Sequence, residues 1–102
     1  MLDKLLDINE ALNRRFPEGD DPFRIMTRLL EECGELANQV NHFEGAGVKR
    51  DKHGPPDKAR LAKEVQDVLR CALQIAQHYG IEGELAASIE RSYEGAKAEG
   101  FL

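Results

Sequence analysis

Two long stretches of the chain carry apolar residues at alternating intervals of four and three. In the first stretch these residues are Leu29, Cys33, Leu36, Val40 and Phe43. In the second they are Leu61, Val65, Val68, Ala72, Ile75 and Tyr79. This period of about 3.5 residues is typical of helices that pack along a left-handed seam. No segment shows the period-2 alternation of a strand, so the sequence predicts an all-α fold in which these two helices form an antiparallel pair.

Proline and glycine divide the chain into four predicted helices. They cover Leu2–Phe16, Asp21–Phe43, Asp57–Tyr79 and Glu82–Lys97. The second helix has a strong start signal, because Asp21 is a good capping residue and a proline follows it. Gly80 is a natural stop for the third helix.

A chain of 102 residues is the size of one domain, and we expect residues 1–102 to form a single one. A chain this small buries only about 60–70% of the surface that its unfolded form exposes. Two long and two shorter helices therefore leave part of their apolar stripe uncovered. We expect an antiparallel bundle of about four helices that a second copy of the chain completes, most simply as a homodimer.

Composition and charge exclude several classes of protein. Hydrophobic residues make up 41% of the chain and charged residues 32%, which is ordinary for a folded globular protein. The net charge of −5 argues against a nucleic-acid binder, since the phosphate backbone favours clustered lysine and arginine. The chain has neither an 18-residue apolar run nor a signal peptide, so we expect no membrane partner and a cytoplasmic location. Cys33 and Cys71 lack CxxC spacing and are interpreted as reduced thiols, with Cys33 in the core.

Two pairs of carboxylates occupy the same phase beside the apolar stripes of the long helices. Glu32 and Glu35 lie on the second helix, and Glu64 and Asp67 lie on the third. Each pair begins one residue before a stripe position and has i, i+3 spacing, which places both side chains on one helical face. If the two helices are neighbours, the four carboxylates can converge.

Converging carboxylates repel one another unless a cation lies among them. Mg²⁺ or Mn²⁺ is the natural cation, because hard divalent ions prefer oxygen ligands and can bridge them to phosphates. The spacing alone favours a solvated or salt-bridged acidic edge over a metal site, because glutamate is a good helix former and often flanks a packing seam. A di-iron bundle fits less well, since it requires Glu-x-x-His motifs that neither pair provides.

The residues around these carboxylates resemble a known enzyme family. Two segments are similar to the EExxE and ExxD motifs of the MazG-like, all-α NTP pyrophosphohydrolase superfamily: Glu31-Glu32-Cys33-Gly34-Glu35 and, after 28 intervening residues, Glu64-Val65-Gln66-Asp67. The resemblance implies Mg²⁺-dependent hydrolysis of nucleoside triphosphates between the α and β phosphates, in a dimer or a dimer of dimers. It implies that Glu32, Glu35, Glu64 and Asp67 are metal ligands and that Glu31 positions or activates the attacking water.

Residues that contact the substrate are harder to assign. Family members often carry a lysine, asparagine and arginine set in the C-terminal helix, whereas this chain has Glu90-Arg91-Ser92-Tyr93-Glu94 there. Arg91 and Lys97 are the available cations, and Asn38 lies one turn beyond Glu35. The predicted loop 44–57 contains the basic residues Lys49, Arg50 and Lys52, which either close over the phosphates or form a solvated surface.

Three functional hypotheses follow. The first is a nucleotide pyrophosphohydrolase that acts on NTPs or dNTPs, with a house-cleaning role toward non-standard nucleotides. The second is a non-enzymatic, dimeric helical module whose acidic edge binds a basic partner. The third keeps the superfamily and changes the substrate, as in a phosphoribosyl-ATP pyrophosphohydrolase.

Overall fold

The computed structural model describes residues 1–45 and 54–102 and contains four α-helices in that part of the chain. They are α1 (Leu2–Arg15), α2 (Pro22–Phe43), α3 (Lys58–Tyr79) and α4 (Glu82–Ala98), and a short 3₁₀ turn at Pro17–Gly19 joins α1 to α2. The described residues include no strand. The all-α prediction is confirmed, and each predicted helix end lies within one residue of the observed one.

The helix ends form where the sequence predicts them, for local reasons. The Asp21 carboxylate accepts a hydrogen bond of 2.9 Å from the backbone N–H of Arg24. Asp57 caps α3 in the same way, accepting 2.8 Å from Ala59. Such caps satisfy backbone donors that have no partner inside the helix. Gly80 has a φ of 64°, the left-handed conformation that ends many helices and that glycine adopts most easily.

The long helices α2 and α3 are antiparallel and form the most extensive helix interface within residues 1–45 and 54–102. At one end, His78 near the end of α3 lies 2.8 Å from the Asp20 carboxylate just before α2. At the other end, His42 near the end of α2 lies 2.6 Å from the carbonyl oxygen of Gly54, just before α3. These contacts connect the beginning of each helix to the end of the other, which confirms the antiparallel pairing.

Buried hydrogen bonds attach α1 to α3. Asn9 is fully buried, and its Nδ2 donates to the Arg70 carbonyl oxygen at 2.9 Å and to Gln77 Oε1 at 2.8 Å. Gln77 in turn donates from Nε2 to the Leu6 carbonyl oxygen. Because unpaired polar groups are costly in the interior, these bonds specify how α1 packs against α3.

The apolar core is small and the molecule is flat. Its buried hydrophobic residues are Leu5, Ile25, Cys71 and Ala76, and its extents are 45 × 45 × 22 Å. The radius of gyration of 16.8 Å exceeds the value of about 13 Å expected for a compact chain of this length. No helix in the part of the chain that the structure describes is long and apolar enough to span a membrane.

The prediction that Cys33 fills the core was wrong, since Cys33 is exposed and Cys71 is the buried cysteine. The apolar stripe is wider than a single pair of helices can cover. Val40, Val65 and Tyr79 also belong to the stripe and are 46%, 42% and 60% exposed. The contact between α2 and α3 buries one side of each apolar stripe and leaves the other side exposed.

Candidate functional site

Three of the predicted carboxylates meet where α2 and α3 pack together. One oxygen each from Glu32, Glu64 and Asp67 lies within 4.8 Å of the others, and all three residues are half-buried. Glu64 and Asp67 are one turn apart on α3, which directs both toward the facing helix. Glu32 reaches the same point from α2 because the two helices are antiparallel and in contact.

The cluster is electrostatically unfavourable as it stands. Burial, and then the neighbouring charges of Asp67 and Glu64, raise the pKa of the Glu32 carboxyl above its ordinary value of 4.5. Arg70 opposes this rise and Glu35 adds slightly to it. In addition, Oε2 of Glu64 is buried and accepts no hydrogen bond from the described residues. Both observations indicate a group of carboxylates whose negative charges are only partly compensated by the described residues.

The geometry fits a small divalent cation. Mg²⁺ binds oxygen at about 2.0–2.1 Å, so two ligand oxygens on opposite sides of the ion lie about 4 Å apart. Three oxygens within 4.8 Å of one another surround a space of that size. The donors are carboxylate oxygens, which suit Mg²⁺ and Mn²⁺, and three protein ligands leave coordination positions for water and phosphate oxygens.

One lysine partly neutralises the cluster. Nζ of Lys63 lies 2.6 Å from Oδ1 of Asp67, one helical turn along α3. The Lys63 side chain is 60% exposed, whereas that of Asp67 is 16% exposed. Because an exposed ion pair of this kind contributes little free energy, the lysine can leave Asp67 when a cation binds.

The structure does not bring Glu35 and Glu31 into this group. Both side chains are exposed, and neither is one of the three residues whose oxygens converge. Glu35 lies one turn further along α2 and is close enough to Glu32 to influence its pKa. Its assignment as a fourth ligand and that of Glu31 as the water-activating residue stay predictions.

The predicted substrate contacts are dispersed. Asn38 on α2 and both Arg91 and Lys97 on α4 are exposed. Among the described residues, no hydrogen bond or ion pair joins them to the carboxylates. The basic residues Lys49, Arg50 and Lys52 lie outside the described residues.

Two arginines that the sequence analysis did not single out lie beside the carboxylates. Arg28 precedes Glu32 by four residues on α2, and Arg70 follows Asp67 by three residues on α3. Their spacing from the acidic motifs is the signal that could have identified them, since it places each arginine one helical turn from a carboxylate and on the same face.

Comparison with known proteins identifies the family of the chain. The chain matches the MazG nucleotide pyrophosphohydrolase domain over residues 21–96, which includes α2, α3 and most of α4. It is also 36% identical over 91 residues to the uncharacterized protein YpjD of Bacillus subtilis (strain 168), an alignment that covers 84% of this chain and 79% of the relative. No solved structure matches the chain significantly. The matched region contains every carboxylate of the cluster, and the chain belongs to the MazG nucleotide pyrophosphohydrolase family.

Proposed function

We propose that this protein hydrolyses nucleoside triphosphates, ribose or deoxyribose, between the α and β phosphates, and that it requires Mg²⁺. The observation that carries the proposal is the convergence of Glu32, Glu64 and Asp67 within 4.8 Å inside a MazG domain. An acidic protein can bind a polyphosphate when a divalent cation neutralises both partners. A docking module with a merely acidic edge would not require three carboxylates around one point.

Glu32, Glu64 and Asp67 would hold the cation, with Glu35 as a fourth ligand from the same helix as Glu32. When bound, the ion supplies Lewis acidity and neutralises charge on the phosphate oxygens. Glu31 would accept a proton from the attacking water as its oxygen bonds to the α-phosphorus. The bond from that phosphorus to the bridging oxygen then breaks, and pyrophosphate leaves with the bonding electrons.

A substrate panel tests this proposal. The purified protein is incubated with Mg²⁺ and with standard and non-standard NTPs and dNTPs, and with phosphoribosyl-ATP. The expected products are a monophosphate and pyrophosphate. Glu32→Gln and Asp67→Asn should abolish the reaction, whereas Glu10→Gln, an exposed carboxylate on α1, should not. Release of orthophosphate, or unchanged activity in both cluster variants, would contradict the proposal.

The remaining predicted contacts belong to the same proposal. Asn38, Arg91 and Lys97, together with the basic residues 49, 50 and 52, would contact the substrate without taking part in the bond-breaking step. Alanine variants of true contacts should raise KM and leave kcat nearly unchanged, because they remove binding that the ground state and the transition state share equally. A house-cleaning role would appear in the substrate panel as a preference for non-standard nucleotides. The cytoplasmic location of the protein stays a prediction.

We also infer that the protein is a homodimer. A groove of about 540 Å³ lies between α3 and α4 and is lined by apolar residues such as Leu69, Leu73 and Ile89. Helix α4 has no buried residue. The accessible surface of 7390 Å² exceeds by about 1,600 Å² the roughly 5,800 Å² expected for a compact monomer of this mass. Covering that excess on both protomers would bury about 3,200 Å² in total, which lies in the range of about 2,000–5,000 Å² typical of obligate homodimer interfaces.

The oligomeric state can be measured directly. Sedimentation equilibrium should give twice the mass of 11.4 kDa, and Ile89→Glu, which places a charge in the groove, should shift the protein toward monomer. Glu90→Lys on the same helix is a matched control that changes charge at the neighbouring position. A wild-type monomer at high micromolar concentration would contradict the inference.

A further inference from the structure

Beside the carboxylate cluster lies a pocket of about 250 Å³ between α1, α2 and α3. Arg28 and Arg70 line it together with Gln74, and the side chains of Leu12 and Phe16 form apolar walls. Arg28 lies one turn before Glu32, and Arg70 lies one turn after Asp67. Because α2 and α3 are antiparallel, these two positions are on the same side of the cluster. The pocket is therefore the continuation of the candidate metal site along the groove between the helices.

The guanidinium groups of the two arginines bond to neutral acceptors, although the charge of Arg70 also acts on Glu32 from a longer distance. Nη2 of Arg28 donates to the Gly19 carbonyl oxygen at 2.7 Å, and Nη1 of Arg70 donates to Asn9 Oδ1 at 3.2 Å. These acceptors are neutral. Within residues 1–45 and 54–102, no carboxylate forms an ion pair with either guanidinium. In a chain with a net charge of −5, two such arginines facing one cavity indicate a site for an anion.

Neutral contacts hold these guanidinium groups in place. The absence of a side chain at Gly19 makes room for Arg28, since a Cβ there would lie only 3.3 Å from Nη1 of that arginine. Arg70 is fixed by Asn9, which is itself fully buried. A guanidinium that is ordered before the ligand arrives loses less conformational freedom on binding.

Gln74 gives an independent indication of a polar ligand. It is only 4% exposed and lines the pocket, yet its Oε1 is buried and accepts no hydrogen bond from the described residues. A buried amide without a partner is costly. Nε2 of Gln74 is not one of the buried atoms without a partner, so the amide can donate from Nε2 to an anion in the pocket.

We propose that Arg28, Arg70 and Gln74 form a phosphate subsite that binds the part of the nucleotide's phosphate chain next to the metal-bound part. This subsite rests on the proposed function for the identity of its ligand. One helical turn advances about 5.4 Å, a distance that adjacent phosphates of a chain can bridge. The planar guanidinium forks suit phosphate oxygens, and the apolar walls strengthen the attraction by excluding water.

Equilibrium binding of inorganic pyrophosphate tests the subsite without relying on hydrolysis. Isothermal titration of the intact protein is performed with Mg²⁺ and again with EDTA. Arg28→Gln and Arg70→Gln should each weaken pyrophosphate binding in Mg²⁺ about tenfold or more, as expected for the loss of hydrogen bonds to a charged group. Arg60→Gln, which removes an exposed arginine from the same helix as Arg70, should bind as the wild type does.

Further variants separate binding from folding. Arg70→Gln also loses the bond to Asn9, so its melting temperature is measured, and Arg28→Gln provides a second test on another helix. Arg70→Lys keeps the charge without the fork and should restore part of the affinity. Arginine-dependent pyrophosphate binding in a protein that hydrolyses no nucleotide would support the subsite and contradict the proposed function. Nucleotide hydrolysis with wild-type pyrophosphate affinity in the Arg28→Gln/Arg70→Gln variant would overturn the subsite alone.

Discussion

Replacing Glu32 by glutamine should stabilise the metal-free protein while it removes metal binding. Glu32 shares its surroundings with the carboxylates of Glu64 and Asp67, whose oxygens lie at most 4.8 Å away. Two unit charges at that distance repel by about 1 kcal/mol in water and by about 3.5 kcal/mol at an effective dielectric constant of 20. Glutamine has nearly the same shape and no charge, so it relieves both repulsions.

Solvent screening and the charge of Arg70 both weaken the repulsion, so the expected gain in stability lies near the lower end of that range. The three side chains are only half-buried, and solvent screens charges in such positions. Arg70 also lowers the pKa of Glu32, which offsets part of the repulsion. We therefore expect Glu32→Gln to gain roughly 1–2 kcal/mol at neutral pH, which corresponds to a rise in melting temperature on the order of 5 °C for a chain of this size.

The gain should depend on pH with a definite sign. The folded-state pKa of Glu32 is raised above 4.5, so folding of the wild type is favoured below that value, where the carboxyl is protonated. That stability is lost as the pH rises through the raised pKa. The difference between Glu32→Gln and the wild type should accordingly vanish at low pH and grow as the pH increases.

Thermal unfolding followed by circular dichroism measures these effects. In EDTA the variant should melt above the wild type, and added Mg²⁺ should raise the melting temperature of the wild type alone, because a ligand stabilises the state that binds it. Glu10→Gln on the surface of α1 serves as the control for loss of a negative charge. A variant that melts below the wild type in EDTA, or that responds equally to Mg²⁺, would refute this reasoning.

Three further predictions concern single contacts. Asn9→Ala leaves buried partners unsatisfied and should cost about 2–4 kcal/mol in urea unfolding; a loss under 1 kcal/mol would show that the buried network is not needed. Gly80→Ala should cost about 1–2 kcal/mol of stability because the φ of Gly80 is 64°. Gly34→Ala inside α2, where an added Cβ meets nothing within 4 Å, should instead gain about 1 kcal/mol. Thermal unfolding in which both substitutions stabilise the protein, or both destabilise it, would contradict this prediction. Lys63→Ala removes the positive charge next to Asp67 and should strengthen Mg²⁺ binding a few-fold at low salt. Calorimetric titration measures this affinity, and weaker Mg²⁺ binding by the variant would contradict the prediction.

Much of the fold could be predicted from local sequence signals. The Asp21 cap and Gly80 determine helix ends through the conformations of a few neighbouring residues, so a short stretch of sequence is sufficient to locate them. The 4–3 spacing of apolar residues reports which face of each helix is buried. It also predicts that α2 and α3 pair, because their stripes have the same period and the two helices are of similar length.

The sequence was less informative about burial within the stripe. Cys33 and Val65 occupy stripe positions on different helices, yet both are exposed, because the contact between α2 and α3 covers only part of an apolar face. Asn9 carries no apolar signal, yet it is fully buried. Its burial depends on hydrogen bonds to residues more than sixty positions away in the chain, which no local pattern reports.

For the candidate site, too, some features followed from the sequence and others depended on the tertiary structure. By itself the sequence determined that acidic pairs lie one turn apart on two helices, since that follows from the helical repeat alone. Only the tertiary structure decided that Glu32, Glu64 and Asp67 converge while Glu35 stays exposed, and that Arg28 and Arg70 face one pocket. The reason is that distances between helices depend on how α2 packs against α3, and that packing is a property of the assembled fold rather than of either helix.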